Sequence, residues 1–507
     1  MKINKKKDFI IFIIISIISY IIFQGYITNH YATDTYNIMN KGYTEYSMSN
    51  SFIDGRIIMG GLNLIVDFIN LPTNIVVISF TLIGILISCI AVIILKNMIL
   101  DIKQTQSKFL EIIAITISYV TIFNFMYVEN LYFIEAIVMG LSILMYTLAI
   151  REIVQKNKHY YLKALIYSII ATFSYQGTIG LLMIYGFLFI ITKNKKDTKQ
   201  IMKDLLIVIS IIGVSYIINI IQIKIITNIL DVNQKRLNGI SELISDAKNV
   251  FLNFDYKIFY VIILNSCGLF PSGLMLYLII AIIGIVMIYE IKNKKETLFK
   301  GIIQILILSI LITTGMCIIS SSSYDTGRIH NVIGALIGLI YIYIFCNSDI
   351  FIRNNNIKII LTIILVIYTV ILMLNTMNLI NQHKKVNNLE KQQCEQLEQY
   401  IKKYEQENNT KVTKAKYFQI GGKKERGYFE TISNKSVLTY NGVACIWSSI
   451  GTINFYTNRN FKDEEIIMEE NMEENMKLFI NYVKNIQNGL DNNFVIVNDT
   501  LYYSVFI

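Results

Sequence analysis

Ten polar side chains have types and positions that could do chemistry together: Asp34, Glu45, Asp54, Arg56, Glu129, Tyr175, Gln176, Asp325, Arg328 and His330. They lie in short gaps between apolar runs, or at the ends of those runs. A carboxylate so placed can take a proton from an incoming hydroxyl. An arginine's planar fork matches the oxygens of a phosphate. Taken singly, each has a plainer use. Asp34 and Glu129 suit helix caps or solvated loops, and Arg56 opens an apolar segment where arginines anchor to lipid headgroups. His330 begins an apolar helix and suits packing. Three groupings at span ends give the set its weight: Asp54-Gly-Arg56, Ser174-Tyr-Gln176 and Tyr324-Asp-Thr-Gly-Arg328. Helices that bundle would gather these ends around one cavity at headgroup depth.

The elements that must position them are membrane helices. The chain has 507 residues, 54% hydrophobic and 16% charged, with only two prolines, a composition foreign to an ordinary soluble protein. Apolar runs recur at 9–27, 74–95, 109–127, 132–150, 162–174, 177–191, 204–226, 272–289, 301–320, 329–346 and 357–378. A spanning helix needs about 20 residues, so these runs predict a polytopic α-helical protein with about eleven spans. The first run reads as an uncleaved helix rather than a signal peptide. Two further runs, 57–71 and 258–270, end at Pro72 and Pro271 and read as helices lying against the membrane. The net charge of +10 is not spread as a nucleic-acid footprint, because the basic residues cluster in alternate gaps. Lys5–Lys7, Lys96, Lys103, Arg151, Lys156, Lys193, Lys199, Lys203, Lys292 and Lys300 share one side; Lys41, Arg56, Lys235, Arg236 and Arg328 lie on the other. The positive-inside rule then predicts a cytoplasmic N-terminus, with loops 28–56, 128–131, 227–257 and 320–328 facing outward.

Residues 1–378 form the multi-span part, with the acid-bearing outer loop 28–56. From 379 to 507 the chain turns polar and predicts a small extracytoplasmic α/β domain. Val386, Leu389, Leu397, Tyr400, Ile401 and Tyr404 have helical spacing. Strands are expected at 412–419, 436–447, 452–457, 493–498 and 501–506, and a helix at 463–484. Gly421-Gly-Lys-Lys-Glu-Arg-Gly427 lacks the strand and helix that would make it a phosphate loop. Cys89, Cys267, Cys317 and Cys346 suit packing in apolar segments; Cys394 and Cys445 in the tail could pair. No Cys/His spacing reads as a zinc site.

The layout resembles an integral-membrane glycosyltransferase of the GT-C type, and within it the GtrII-like glucosyltransferase family of bacterial surface-glycan modification. The likeness is carried by Tyr31-Ala-Thr-Asp34-Thr-Tyr36 in the first outer loop, Asp54-Gly-Arg56-Ile-Ile, Phe173-Ser-Tyr-Gln176 and Tyr324-Asp-Thr-Gly-Arg328-Ile-His330, together with the outward tail. Such enzymes often carry two adjacent acids in the first outer loop; here Thr35 follows Asp34, which leaves both Asp34 and Asp54 open as the key carboxylate. The resemblance implies transfer of a hexose such as glucose from a polyprenyl-phosphate carrier to a cell-surface glycan. Asp34 would be the base, and Arg56 or Arg328 would hold the departing phosphate. Glu45, Glu129, Tyr175, Gln176, Asp325, His330 and Trp447 would line the substrate, the aromatic rings stacking on sugar faces. As the only tryptophan, Trp447 serves equally as a core residue of the tail. A divalent metal, Mg²⁺ or Mn²⁺, is neither demanded nor excluded by one acidic loop.

Two rival classes handle the same lipid-linked glycans. A flippase or transporter usually places ionisable groups within several spans and often repeats its halves, whereas this chain keeps its charge at span ends and shows no repeat. A polysaccharide polymerase is less well matched to an acidic first loop and a soluble tail.

Overall fold

The computed structural model describes residues 5–505 apart from 106, 194–196, 233–239, 254–272, 294–296, 320–326, 354, 420–440, 464–471 and 486–493. The helices that build and flank the site are α1 (Lys5–Phe23), α2 (Thr33–Lys41), α3 (Ile57–Phe68), α4 (Thr73–Lys103), α5 (Lys108–Ile122), α6 (Tyr127–Tyr132), α7 (Ala136–Gln155), α8 (Tyr160–Ser174), α9 (Ile179–Lys193) and α10 (Thr198–Leu230). They are followed by α11 (Leu274–Asn293), α12 (Thr297–Ile319), α13 (Leu336–Asn347), α14 (Asn355–Asn408), α15 (Ser449–Thr457) and α16 (Met472–Asn485). Long Ile- and Leu-rich segments become helices because only a helix satisfies the backbone within one segment when no water is at hand.

Among the described residues, seven helical segments are long and apolar enough to cross a membrane: α4, α7, Gln176–Lys193, α10, α11, Leu298–Ile318 and Asn356–Asn408. The other four apolar runs lie in shorter or more charged helices. α5 and α8 have 15 residues each and α13 has 12, while α1 has 19 but opens on three lysines and Asp8. The run at 57–71 folds as α3, whose Ile65 and Phe68 are exposed, as is Ile69 just beyond it. The run at 258–270, with Cys267, lies outside the described residues.

The bundle closes tightly where side chains are absent. A Cβ on Gly84 of α4 would sit 2.6 Å from the Ala136 carbonyl oxygen, and one on Gly140 of α7 would sit 2.6 Å from that of Gly84. Small residues at such crossings let two membrane helices approach backbone to backbone.

The last membrane segment and the first tail helix are one continuous helix, α14, 54 residues and about 80 Å long. No glycine or proline interrupts it, so the boundary at 379 falls inside a helix. Its far half enters the tail core: Cys394, Leu397 and Ile401 pack with Val412, Ala415, Ile450, Ile453, Phe494 and Leu501. The tail sheet has the order β2-β1-β4-β3, with β1 (Lys414–Gln419) parallel to β2 (Lys462–Asp463) and β4 (Thr500–Val505). β3 (Phe494–Val497) and β4 form a hairpin whose turn places Asn498 at φ 56°, a left-handed conformation that Asn tolerates. Two expectations for the tail are corrected: residues 452–457 belong to helix α15 rather than a strand, and 441–447 form turns. The helix expected at 463–484 is described over Met472–Asn485, with Asp463 in β2 and 464–471 outside the described residues. Residues 436–440 and the Gly421–Gly427 turn lie outside the described residues. Cys394 and Cys445 are both buried thiols, with no disulfide between them.

Candidate functional site

The loop before α3 is held by amide side chains from one membrane helix, α10, and from the turn between α8 and α9. Gln176 Nε2 donates to the Asp54 carbonyl at 2.8 Å, Asn219 Nδ2 to the Gly55 carbonyl at 2.9 Å and Gln222 Nε2 to the Phe52 carbonyl at 3.3 Å. Gly55 has φ +77°, and a Cβ there would lie 2.8 Å from Asn219 Nδ2, Gln176 Nε2 and Ile223 Cδ1. Only glycine meets both demands. This anchoring aims Asp54 and Arg56 back into the bundle.

Arg56 meets a partner that the charge pattern alone does not reveal. Its Nη1 donates to both carboxylate oxygens of Glu135, at 2.9 and 2.7 Å, and Asp54 stands 3.9 Å from its other terminal nitrogen. Glu135 is 1% exposed and occupies the N-cap of α7, where the helix dipole favours an anion. Burial alone would lower the Arg56 pKa, but Glu135 and Asp54 outweigh it and raise it above the ordinary range. The Tyr175 ring lies beneath the guanidinium, 5.2 Å from ring centre to Cζ. Tyr175 takes this position because α8 stops at Ser174 and the chain turns extended, its carbonyl accepting from Ser142 Oγ of α7 at 3.0 Å.

Arg328, in the one-turn helix Gly327–Ile329, forms the second pair. Its Nε stands 3.3 Å from Glu129 Oε1 and its backbone N–H donates to Glu129 Oε2 at 3.1 Å, while the guanidinium covers the Phe133 ring at 4.0 Å. The backbone N–H makes the hydrogen bond to Glu129, and the guanidinium adds a close ion-pair contact. Burial opposes the charge on Arg328, but Tyr175, Glu129 and Asp34 together raise its pKa, with Arg56 acting against them. Burial also pushes Glu129 up to about 7 despite Arg328, which pulls the other way. Arg56, Arg328, Tyr175, Glu129 and Glu135 therefore share one electrostatic neighbourhood, with Asp34 facing Arg328.

Comparison with family models, with curated proteins and with solved structures finds no match to this chain. What the site does must be read from its own geometry.

Asp34 is half-buried in the first turn of α2, and the tail clamps that helix. Tyr36 Oη donates to Glu390 Oε2 at 2.6 Å, and Asn387 Nδ2 donates to the Tyr31 carbonyl at 2.7 Å and to Glu390 Oε2 at 2.9 Å. The Gly442 N–H donates to Glu390 Oε1 at 2.6 Å, and Gly451 of α15 packs on the Tyr36 carbonyl. The tail is thus joined to the loop that carries Asp34.

The remaining sequence-selected residues divide. Gln176 acts on backbone, as above. His330 is 1% exposed and its Nε2 lies 3.6 Å from Cys317 Sγ, within the packing of the bundle. Glu45 is exposed on a short turn of helix. Trp447 is 38% exposed on the turn before α15, and no contact described for Arg56, Arg328, Glu129 or Glu135 reaches it. Asp325 and Tyr324 lie outside the described residues. Glu135 was concealed inside the apolar run 132–150; an acid in such a run is itself a functional signal. Among the described residues, side-chain atoms buried without hydrogen-bond partners gather on these same segments: Thr35, Ser47, Ser51, Asn63, Asn130 and the Nε of both arginines. Natural structures seldom leave such groups unpaired, and hydroxyls and amides are what a polyhydroxylated ligand would satisfy. Among the described residues, no three His, Cys, Asp or Glu side chains group as metal ligands would.

Proposed function

We propose that the protein is an integral-membrane glycosyltransferase of the GT-C type, similar to the GtrII-like family, moving a hexose from a polyprenyl-phosphate carrier to a cell-surface glycan. The observation that carries this reading is the buried Arg328 guanidinium, within electrostatic reach of Asp34, among buried hydroxyl and amide groups. An arginine fork supplies two parallel donors to phosphate oxygens. Asp34 takes the proton of the acceptor hydroxyl; the acceptor oxygen forms its bond to sugar C1 as the bond from C1 to the phosphate oxygen breaks with inversion, and the polyprenyl phosphate departs with the electron pair. Because phosphate is already a good leaving group, one base and one cation suffice, unlike the matched acid and base of most glycoside hydrolases.

This reading gives the two arginines different tasks. Arg56, occupied by Glu135, orders the loop and the Tyr175 ring, and Arg328 receives the phosphate. The reading also takes the N-terminus as cytoplasmic, about eleven spans in the plasma membrane, and α2, Arg328 and the tail on the outer side, as the lysine distribution suggests. Exposed Ile65 and Phe68 of α3 fit a helix resting in the headgroup layer beside the site.

The test is transfer from synthetic polyprenyl-phosphate-glucose by the purified protein beside Asp34→Asn, Asp54→Asn and Arg328→Ala. Loss of transfer in Asp34→Asn and Arg328→Ala is expected. Full transfer by all three variants would remove this site.

A further inference from the structure

At the end of the bundle that carries the lysine-rich gaps, an open groove of about 640 Å³ runs along α10, with Tyr161 of α8 at its edge. Its lining is graded: Tyr161, Lys199 and Lys203 at one end, then Leu206, Ile207 and Ile211 along α10. From Lys199 to Ile211 is 12 residues, about 18 Å of helix, the depth of a headgroup and the upper part of one acyl chain. Lys199 and Lys203 are four residues apart on one face of α10, a like-charge spacing that costs stability unless an anion relieves it. Among the described residues neither has an acid within salt-bridge distance. The nearby acid is committed elsewhere: Asp204 is 2% exposed and takes Lys156 at 2.9 Å and Gln200 at 2.7 Å. Tyr161 is half exposed and stacked on Tyr160, 3.9 Å between ring centres, so an amphipathic ring stands at the polar end.

We infer that this groove holds a glycerophospholipid of net negative headgroup, its phosphate between Lys199 and Lys203 and one acyl chain along Leu206, Ile207 and Ile211. The inference is independent of the glycosyltransferase reading, since it concerns a groove made by other residues. Charge complementarity selects the headgroup, and the apolar floor selects a lipid over a free phosphate.

The full-length protein carrying Trp447→Phe and Tyr161→Trp has its one tryptophan in the groove. Reconstituted in nanodiscs, its fluorescence is quenched by phosphatidylglycerol or phosphatidylcholine with brominated acyl chains at equal mole fraction. Stronger quenching by phosphatidylglycerol is expected. The preference should fall by about fivefold for each of Lys199→Gln and Lys203→Gln, persist in the arginine variants and in Lys163→Gln, and resist added inorganic phosphate. Equal quenching by the two lipids, a preference that survives the double glutamine variant, an equal fall in Lys163→Gln, or displacement by inorganic phosphate would overturn the assignment.

Discussion

Two buried arginine–glutamate pairs stand a short way apart in this molecule, and they differ in how completely they are closed. Arg56 gives Glu135 a two-oxygen contact at 2.9 and 2.7 Å, with Asp54 behind it. Arg328 meets Glu129 through Nε at 3.3 Å and through its backbone N–H, a looser contact than the two-oxygen one of Arg56. The first contact is the tighter of the two. The acids differ as well. Glu129 is pushed up to about 7 by burial, so it can give up its charge near neutrality, whereas an arginine left alone cannot.

The largest effect should come from opening the closed pair. Glu135→Ala leaves the Arg56 charge buried without its partner, which costs roughly 3–5 kcal/mol and should appear as a large drop in thermal stability in detergent. Arg328→Ala is the converse. It should lower transfer by roughly 10²–10³-fold, yet shift stability by about 1 kcal/mol or less, because Glu129 can take a proton once the arginine is gone. Equal stability losses in the two variants would erase the distinction. Gly55→Ala comes next, costing about 1–3 kcal/mol of strain at φ +77° and lowering transfer by displacing Asp54 and Arg56 together.

The smallest effect concerns pH. Glu129 holds its proton more tightly in the folded protein than in the unfolded chain, so its contribution to stability is complete below about 4.5 and is lost as pH rises through about 7. The same proton frees the charge of Arg328. Affinity for a phosphate should therefore rise as pH falls from 8 to 6, by roughly tenfold for each pKa unit that the anion adds to Glu129. Glu129→Gln, permanently neutral, should bind well throughout and show a flat profile.

Much of this site was legible in the sequence because charge stands out against Ile and Leu. Asp34, Asp54, Arg56, Glu129, Tyr175 and Arg328 were all found as polar punctuation, and the structure brings them into one neighbourhood. Who pairs with whom was not legible, since Arg56 and Glu135 are 79 residues apart and their contact exists only after α3 and α7 assemble. Gln176 and His330 looked like site residues for the same reason of contrast, but one holds backbone and the other packs on Cys317. Thr452-Ile-Asn-Phe-Tyr-Thr457 has strand-like composition, yet Gly451 and its neighbours seat on Tyr36 of α2 as a helix, a tertiary contact overriding local preference. The continuity of α14 could have been read from the absence of glycine and proline across 355–408; the change from apolar to polar residues there marks where the helix leaves its apolar surroundings, without ending it.

The most direct test of the difference between the pairs is the affinity of the purified protein for polyprenyl phosphate alone. Arg328→Gln is compared with the double variant Arg56→Gln/Glu135→Gln, which replaces the closed pair by two neutral side chains. Affinity should fall at least about tenfold in Arg328→Gln and stay within about threefold of the parent in the double variant. An unchanged affinity in Arg328→Gln, with the loss in the double variant instead, would place the phosphate on Arg56 and contradict the account.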